Sequence, residues 1–381
     1  LRTQFLALRY GILNALMAAF IVALVTGGGS IWLVLGVGLI GISFLDESLG
    51  DSGEPLRPAA RWIYDIELYA TLPLLVIITV LHLHYFTKGD PIGLVAGLSR
   101  IGVTFGGAPW ARDWLAVTGA TLGTGYFYAL AGMTVAHELL HRTNSTAAHV
   151  VTRILLAFNH NAHFATSHLY GHHRKVATFG DPTTARRGEY VLVFVFRCFF
   201  GEFREALRIE KLRLRKRGLP YLSRHNRVLR DQLYSVAIMA TVAAIFGYRG
   251  LVGFIIAASL GAGIQRFIDY TQHYGLVRVP GAPIEARHSW ECDRFLTKAL
   301  QYNLALHADH HLAAGKPYWE LKPKSDAPRL PCGYVTAALV ALVPPLWHRL
   351  IDPLLEDWDS RLASDAERRL LRKPRPMAVA Y

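Results

Sequence analysis

Two histidines and a glutamate stand within one helical turn at residues 137–141, HELLH, inside the run TVAHELLHRTNS. In the H-E-x-x-H pattern both imidazoles bind zinc and the glutamate, here Glu138, serves as general base of a metalloprotease. Three further histidine groups follow. His168, His172 and His173 form HLYGHH, His273 stands in DYTQHYGLVR, and His307, His310 and His311 form HADHH. Spacings of i, i+3 or i, i+4 put imidazoles on one helix face, where they can share a metal. The adjacent pairs His172-His173 and His310-His311 send their rings in different directions, so one such pair can serve two metals. A mononuclear zinc site takes three or four protein ligands. Nine clustered imidazoles exceed that and suit two metals. The other histidines among the 17 (His82, His84, His149, His160, His163, His225, His288 and His348) lack these patterns and are expected in packing or surface roles.

The elements that must position these groups are apolar. The 381 residues are 52% hydrophobic and 18% charged, with mean hydropathy +0.25; about 25% charged is usual for a soluble domain. A span needs roughly 20 mainly apolar residues. Candidates run from Tyr10 to Thr26, Ile31 to Phe44, Ile63 to Phe86, Trp114 to Ala136, Gln232 to Phe246 and Leu251 to Ile268. The first two are joined by Gly-Gly-Gly-Ser and the last two by Gly-Tyr-Arg-Gly. The run Tyr334 to Leu350 contains Pro344-Pro345, which breaks a spanning helix, so it reads as interfacial or buried. The fold class expected is therefore an all-α integral membrane protein with six transmembrane helices and a histidine-rich cytoplasmic cap. Residues 1–141 would hold four helices ending in the first histidine motif. Residues 142–230 form a cytoplasmic segment, 231–273 the last two spans, and 274–381 a cytoplasmic C-terminal region. The N-terminus lacks the layout of a cleavable signal peptide, and a few native residues are expected before Leu1.

Charge sets the orientation. Residues 142–230 carry 17 Lys/Arg against 5 Asp/Glu, which places them in the cytoplasm by the positive-inside rule and accounts for much of the net charge of +13. Within them EFREALRIEKLRLRKRG reads as a basic amphipathic helix on lipid headgroups. Nucleic-acid binding would need a base-stacking platform beside the charge, and no such platform accompanies it. Cys198, Cys292 and Cys332 are widely spaced, which excludes a CxxC thiolate site and a disulfide scaffold. His137, His141 and His273 follow the cytoplasmic ends of spans, and the other groups lie in cytoplasmic segments, so all nine can meet over the mouth of the helix bundle. A metal transporter would instead place its ligands inside the spans.

The blocks AHELLHRT, SHLYGHHRKVATFGDPTTAR, YTQHYGLVR and LALHADHHLAAGKPYWELKPKSDAPRLPCGY resemble the signature blocks of the integral-membrane alkane and xylene monooxygenases, hydroxylase relatives of the membrane fatty-acid desaturases. The likeness in order and spacing runs from about Phe44 to about Leu362. It implies six transmembrane helices, a bacterial-type inner membrane with the site on the cytoplasmic side, and a di-iron centre of two Fe ions using O2 as co-substrate. The ligands it implies are His137, His141, His168, His172, His173, His273, His307, His310 and His311. The reaction it implies is hydroxylation of the terminal carbon of an n-alkane to a primary alcohol. The methyl group of an alkylbenzene is the alternative, followed by lipid desaturation and membrane zinc proteolysis. Ser167 and Gln272 stand where the alkane-hydroxylase pattern has glutamates; QHYGLVR and YWELKP are closer to the xylene type, while GHHRKVAT followed by GDP is closer to the alkane type.

Imidazole ligands need acceptors to fix their tautomers. Asp181 and Asp309 are the first expected, then Asp269, Glu138 and Gln272. A hydrocarbon offers only apolar area, so its pocket must bind by shape and burial. Trp62, Tyr126, Phe127 and Tyr128 are candidates for the lining of a channel open to lipid. No flavin, haem or iron–sulfur motif is present. Electrons would come from a rubredoxin or ferredoxin-type protein with its reductase, docking on the basic surface between Arg204 and Arg230.

Overall fold

The computed structural model describes residues 7–51, 60–107 and 113–372. Among them there is no strand, only isolated bridges between Asp51 and Arg294 and between Glu291 and Arg329; the architecture is helical. Helices α1 (Leu8–Thr26) and α2 (Gly29–Leu49) form a hairpin. It turns at Gly27 and Gly28, whose φ angles of 74° and 57° are left-handed. Glycine is required at Gly27 for a second reason, because a Cβ there would lie 2.4 Å from the Gly106 carbonyl oxygen. Helix α3 (Arg61–His84) follows, then the short α4 (Leu94–Arg100).

Four helices among the described residues are long and apolar enough to cross a membrane: α1, α2, α3 and Arg227–His273. The expected fourth span is present as a continuous helical run, α5 (114–140), yet falls outside these four because four glycines, four threonines and two tyrosines dilute its apolar content. The expected fifth and sixth spans both lie within Arg227–His273. They are separated by Gly247 at φ 67°, and the expected four-residue turn reduces to that one residue because helical geometry resumes at once.

The small residues of α5 have a packing role. Gly125 and Gly261 face each other where α5 crosses the 227–273 helix, and a Cβ on Gly261 would sit 2.8 Å from the Tyr128 Cβ and 2.4 Å from Asn159 Oδ1. Close backbone approach of this kind is how helices associate in lipid, where apolar burial drives nothing. It brings the two helices that carry His137 and His273 together. Within α5, Tyr128–Met133 is a π-helical stretch, which leaves the Tyr128 carbonyl free to accept from Asn159 Nδ2.

Helices α6 (Thr146–Phe158) and α7 (164–175) follow the HELLH end of α5. Helix α8 (Val191–Lys216) contains the basic stretch. It buries Phe194, Cys198, Glu202, Ala206, Glu210 and Leu214 at helical spacing and exposes Arg204, Arg208, Lys211 and Arg215. Helix α9 (Arg227–His273) precedes α10 (Phe295–Leu300), α11 (His307–Leu312), α12 (Tyr334–Ala341) and α13 (Pro344–Asp357). The expected break near Pro344-Pro345 falls at Leu342 and Val343, with Pro344 opening α13 where its missing N–H costs nothing. A second hydrophobic cluster, built on Tyr270, Tyr274, Trp290, Trp347 and Trp358, packs these C-terminal elements around the end of α9. A bidentate pair between Arg187 and Asp359, at 2.7 Å for each bond, fastens them to the segment after α7.

Candidate metal centre

The nine histidines of the four motifs come together in two sets. His137, His141, His168, His173 and His310 form one, and His172, His273, His307 and His311 the other, with the ligand atoms of each set within 4.8 Å of one another. Both adjacent pairs are split between the sets. His137 with His141 and His307 with His311 follow the i, i+4 rule. His168 does not share a set with His172, as α-helical spacing would require, but with His173, its Nε2 lying 2.9 Å from that of His173. The reason is local: 168–172 is a π-helical turn, in which i and i+5 share a face.

Nitrogens meet nitrogens here. Nε2 atoms face each other at 3.3 Å between His141 and His168, 3.3 Å between His310 and His173, 3.2 Å between His172 and His311, 3.1 Å between His307 and His273, and 3.0 Å between His311 and His307. Metal–imidazole bonds of about 2.0–2.1 Å place neighbouring ligand nitrogens about 2.8–3.4 Å apart in octahedral or tetrahedral geometry. The contacts match the edges of coordination polyhedra. In addition, Nε2 of His137 is buried with no hydrogen-bond partner, an arrangement that costs free energy unless something accepts its lone pair.

The electrostatics keep those lone pairs available. Burial, reinforced by neighbouring imidazoles, holds His168, His310 and His311 well below the usual histidine pKa. The same causes bring His307 to about 3 and His173 to about 2. His172 goes the other way: burial lowers it, but Asp181 beside it outweighs that and raises it. Asp181 Oδ2 lies 2.9 Å from His172 Nδ1 and also accepts from the hydroxyls of Thr183 and Thr184 at 2.8 and 2.9 Å. Burial pushes the Asp181 pKa up, while His172 and the two hydroxyls hold it below the ordinary value. The donor set fits two metal ions.

Comparison with known proteins agrees with the site. The fatty acid desaturase family model matches residues 112–336, which include all nine histidines. Alkane 1-monooxygenase 1 of Pseudomonas aeruginosa is 34% identical over 67% of this chain and 70% of its own length. The hydroxylase component XylM of the xylene/toluene monooxygenase of Pseudomonas putida is 28% identical over 95% of this chain and 93% of its own. Alkane 1-monooxygenase 1 of Alcanivorax borkumensis is 29% identical over 87% and 80%. The chain belongs to the alkane and xylene monooxygenase family. It is an oxidoreductase and, with its four long apolar helices, an integral membrane protein.

Other expected site residues of this monooxygenase lie as follows. Asp309 does not face a histidine. Its carboxylate accepts from Lys316 Nζ at 2.7 Å, Lys324 Nζ at 2.8 Å and the Lys322 N–H at 2.8 Å, because its place on α11, two residues after His307 and one before His310, puts its side chain on another face of the helix. Glu138 points to Arg142, at 3.5 Å, and to the Tyr318 backbone N–H. Asp269 accepts from Gln265 Nε2 at 3.3 Å, and its Oδ2 is buried without a partner, as is Gln272 Nε2. Both residues border a small cavity of about 20 Å³ beside His137, His168, His172 and His307. Of the channel candidates, Tyr126 lines an apolar chamber of about 420 Å³. Trp62 is 64% exposed, and Phe127 and Tyr128 pack into the core, so these three do not line it.

Three features escaped the sequence reading. Thr183 and Thr184 hold Asp181, and they stand in the quoted block GDPTTAR, where a polar run after the second motif was a usable signal. Gln265 and Gln301 line both cavities; they lie outside the histidine blocks and carried no signal. Cys198, Glu202 and Asp269 also converge within 4.8 Å. The cation there is the buried guanidinium of Arg266, 2.6 Å from Glu202 Oε2. Among the remaining histidines, His163 packs against Phe199 and Phe203, and His288 pairs with Glu367 at 2.8 Å.

Proposed function

We propose that this monooxygenase is a di-iron hydroxylase that converts the terminal methyl group of an n-alkane to a primary alcohol. The observation that carries the reading is the division of nine converging imidazoles into a set of five and a set of four. His137, His141, His168, His173 and His310 would hold one iron, and His172, His273, His307 and His311 the other. Five imidazoles exceed what zinc takes. Two irons would supply the reduction of O2 and the oxidation of the C–H bond. One oxygen atom enters the carbon–hydrogen bond as hydroxyl and the other leaves as water, with two electrons and two protons supplied from outside.

The chain's own residues bind and orient. The apolar chamber lies among α2, α5, α9 and α12 and is lined by Leu35, Leu39, Leu130, Ile264 and Leu339 with few polar atoms. Its outer residues Trp32 and Ile40 on α2, and Leu342 just after α12, are exposed on the surface that would meet lipid, so a hydrocarbon enters from the bilayer. Burial of each CH2 contributes about 0.8 kcal/mol. The chamber shares Thr134, Gln265, Ile268 and Gln301 with the small cavity beside the histidines, and the substrate methyl group reaches the metals there.

In this reading the chain would cross the membrane six times, with α5 and the two halves of α9 completing the set begun by α1, α2 and α3. The excess of Lys and Arg in residues 142–230 supports a cytoplasmic-side location of the histidines in a bacterial inner membrane. Exposed Arg204, Arg208, Lys211 and Arg215 on α8 suit an acidic electron donor of rubredoxin or ferredoxin type. A second substrate reading, the methyl group of an alkylbenzene, is favoured by the likeness to XylM over 95% of the chain. The protease reading is disfavoured by Glu138, whose carboxylate is engaged by Arg142.

The test is metal content by plasma mass spectrometry with a Mössbauer spectrum of iron-57-loaded protein, followed by product analysis on n-alkanes and xylenes. About two irons per chain and a primary alcohol are expected. An alkene product would convert the reading to a desaturase, and one zinc with no iron uptake would return the protease.

A further inference from the structure

The space leading to the histidines narrows sharply. By the same measure the apolar chamber holds about 420 Å³ and the cavity touching His137, His168, His172 and His307 about 20 Å³. A volume of about 10–15 Å³ on that measure is needed for a single water, so the inner cavity admits one methyl-sized group. The border between the two consists of Thr134, Gln265, Ile268 and Gln301, which line both. Three of the four are polar, in a chamber wall that is otherwise almost wholly apolar.

We propose that Gln265 and Gln301, with Thr134, form a polar collar that sets regioselectivity: it admits only the end of a chain to the metals and holds the hydroxyl of the product. The proposal rests on the hydroxylase reading above. An internal CH2 could reach the inner cavity only if the chain doubled back, carrying two strands through the border. A single chain end meets no such demand. Once oxidised, that end carries a hydroxyl that can donate to or accept from the carboxamides, whereas the alkane end makes no hydrogen bond. The collar therefore distinguishes product from substrate at the same position.

Both glutamines are held in place. Gln265 Nε2 donates to Asp269 Oδ1 at 3.3 Å. Gln301 follows α10, whose first turn is anchored by Asp46 of α2: its carboxylate accepts from the Leu296 and Thr297 backbone N–H groups at 2.7 and 3.2 Å. Directly after Gln301, Tyr302 and Asn303 both adopt left-handed backbone, at φ 48° and 53°. Two such non-glycine residues in succession persist only where their surroundings hold them. Tyr302 is buried against Tyr10 and Tyr318, and Asn303 Nδ2 donates to the Tyr318 carbonyl at 3.0 Å. The turn fixes Gln301 at the border and delivers His307 six residues later.

The test has two arms on the full chain in lipid nanodiscs. In the first, iron-loaded protein oxidises n-decane, and 1-, 2- and 3-decanol are separated by gas chromatography for wild type, Gln265→Ala and Gln301→Ala. The alanine variants are expected to raise the 2-alcohol share about tenfold with iron content unchanged. An unaltered product ratio in both variants overturns the collar. No alcohol at any position from n-decane or p-xylene in the wild type would count against the hydroxylase reading instead, and the second arm then decides the collar alone. In that arm zinc-loaded protein with 1-dodecanol is imaged by electron cryomicroscopy. Hydroxyl density within hydrogen-bond distance of the Gln265 or Gln301 carboxamide, lost in Gln265→Leu/Gln301→Leu, supports it. A chain bound in the chamber with its hydroxyl elsewhere overturns it.

Discussion

Asp181 Oδ2 lies 2.9 Å from Nδ1 of His172, while Nε2 of the same ring faces His311 Nε2 at 3.2 Å. One imidazole is thus committed on both sides, to a carboxylate and to the four-histidine set. The carboxylate determines which nitrogen carries the proton, and so which lone pair is offered to a metal.

Replacing that carboxylate should be felt at the metal. Asp181→Asn keeps the shape and removes the charge, and its amide can donate to the nitrogen that should carry the proton. Metal affinity of the four-histidine set should fall about 10–100-fold. Chelator competition with zinc and ferrous iron measures it, and an unchanged affinity would show that the hydrogen bond orients nothing.

The split of adjacent histidines makes the two sets separable. His310→Ala removes an imidazole from the five-histidine set and His307→Ala one from the four-histidine set, although both lie on α11 three residues apart. Each variant should retain about one metal per chain, with distinct Mössbauer spectra of the remaining iron. Should both lose all metal, the sets would be a single cooperative site and the assignment of ligands to two ions would fail.

The motifs made the nine histidines and their convergence legible, because H-x3-H on a helix leaves little freedom in where two rings point. Their allocation was not legible. A π-turn over 168–172 depends on tertiary packing, and it alone moves His173, rather than His172, beside His168. Asp309 was misjudged for a related reason: its position between ligands in sequence suggested a partner for them, whereas its place on the helix turns it to Lys316 and Lys324. Apolar runs located the four helices long and apolar enough to cross a membrane, α1, α2, α3 and α9. In α5 the glycines that permit close crossing at Gly125 and Gly261 also weaken the hydropathy signal. Trp62 illustrates a limit of composition, since an aromatic near a span end faces outward as readily as inward.

Arg266 should be among the residues least tolerant of change. It is 1% exposed, donates to Glu202 Oε2 at 2.6 Å and Asn161 Oδ1 at 2.9 Å, and stacks 4.9 Å from the Phe199 ring centroid. Arg266→Met strands Glu202 beside Asp269 without a counter-charge, and breaking a buried pair in this way costs about 3–5 kcal/mol. Thermal unfolding in nanodiscs should drop accordingly, and the double variant Arg266→Met/Glu202→Leu should recover part of the loss. A single variant as stable as wild type would show that the Arg266–Glu202 pair contributes nothing to the stability of the fold.

Glu210 ties α8 to the start of α9 and gives a pH-dependent prediction. It accepts from the Arg227 backbone N–H at 2.8 Å and Nε at 3.0 Å, and from Arg213. Burial pushes its pKa up, but the hydrogen bonds and the charges of Arg213 and Arg227 outweigh that and bring it from 4.5 to about 2. A depressed carboxylate pKa stabilises the fold above the unfolded value and loses that contribution as pH falls through the folded one. The tie should therefore be intact at pH 7 and 5 and weaken between about 4.5 and 2. Hydrogen–deuterium exchange over residues 208–230 measures it, with Glu210→Gln as the comparison. The variant should exchange faster than wild type at pH 6, and the difference should shrink as wild-type Glu210 is protonated. Equal protection at pH 6 would show that the arginines hold this turn without the carboxylate.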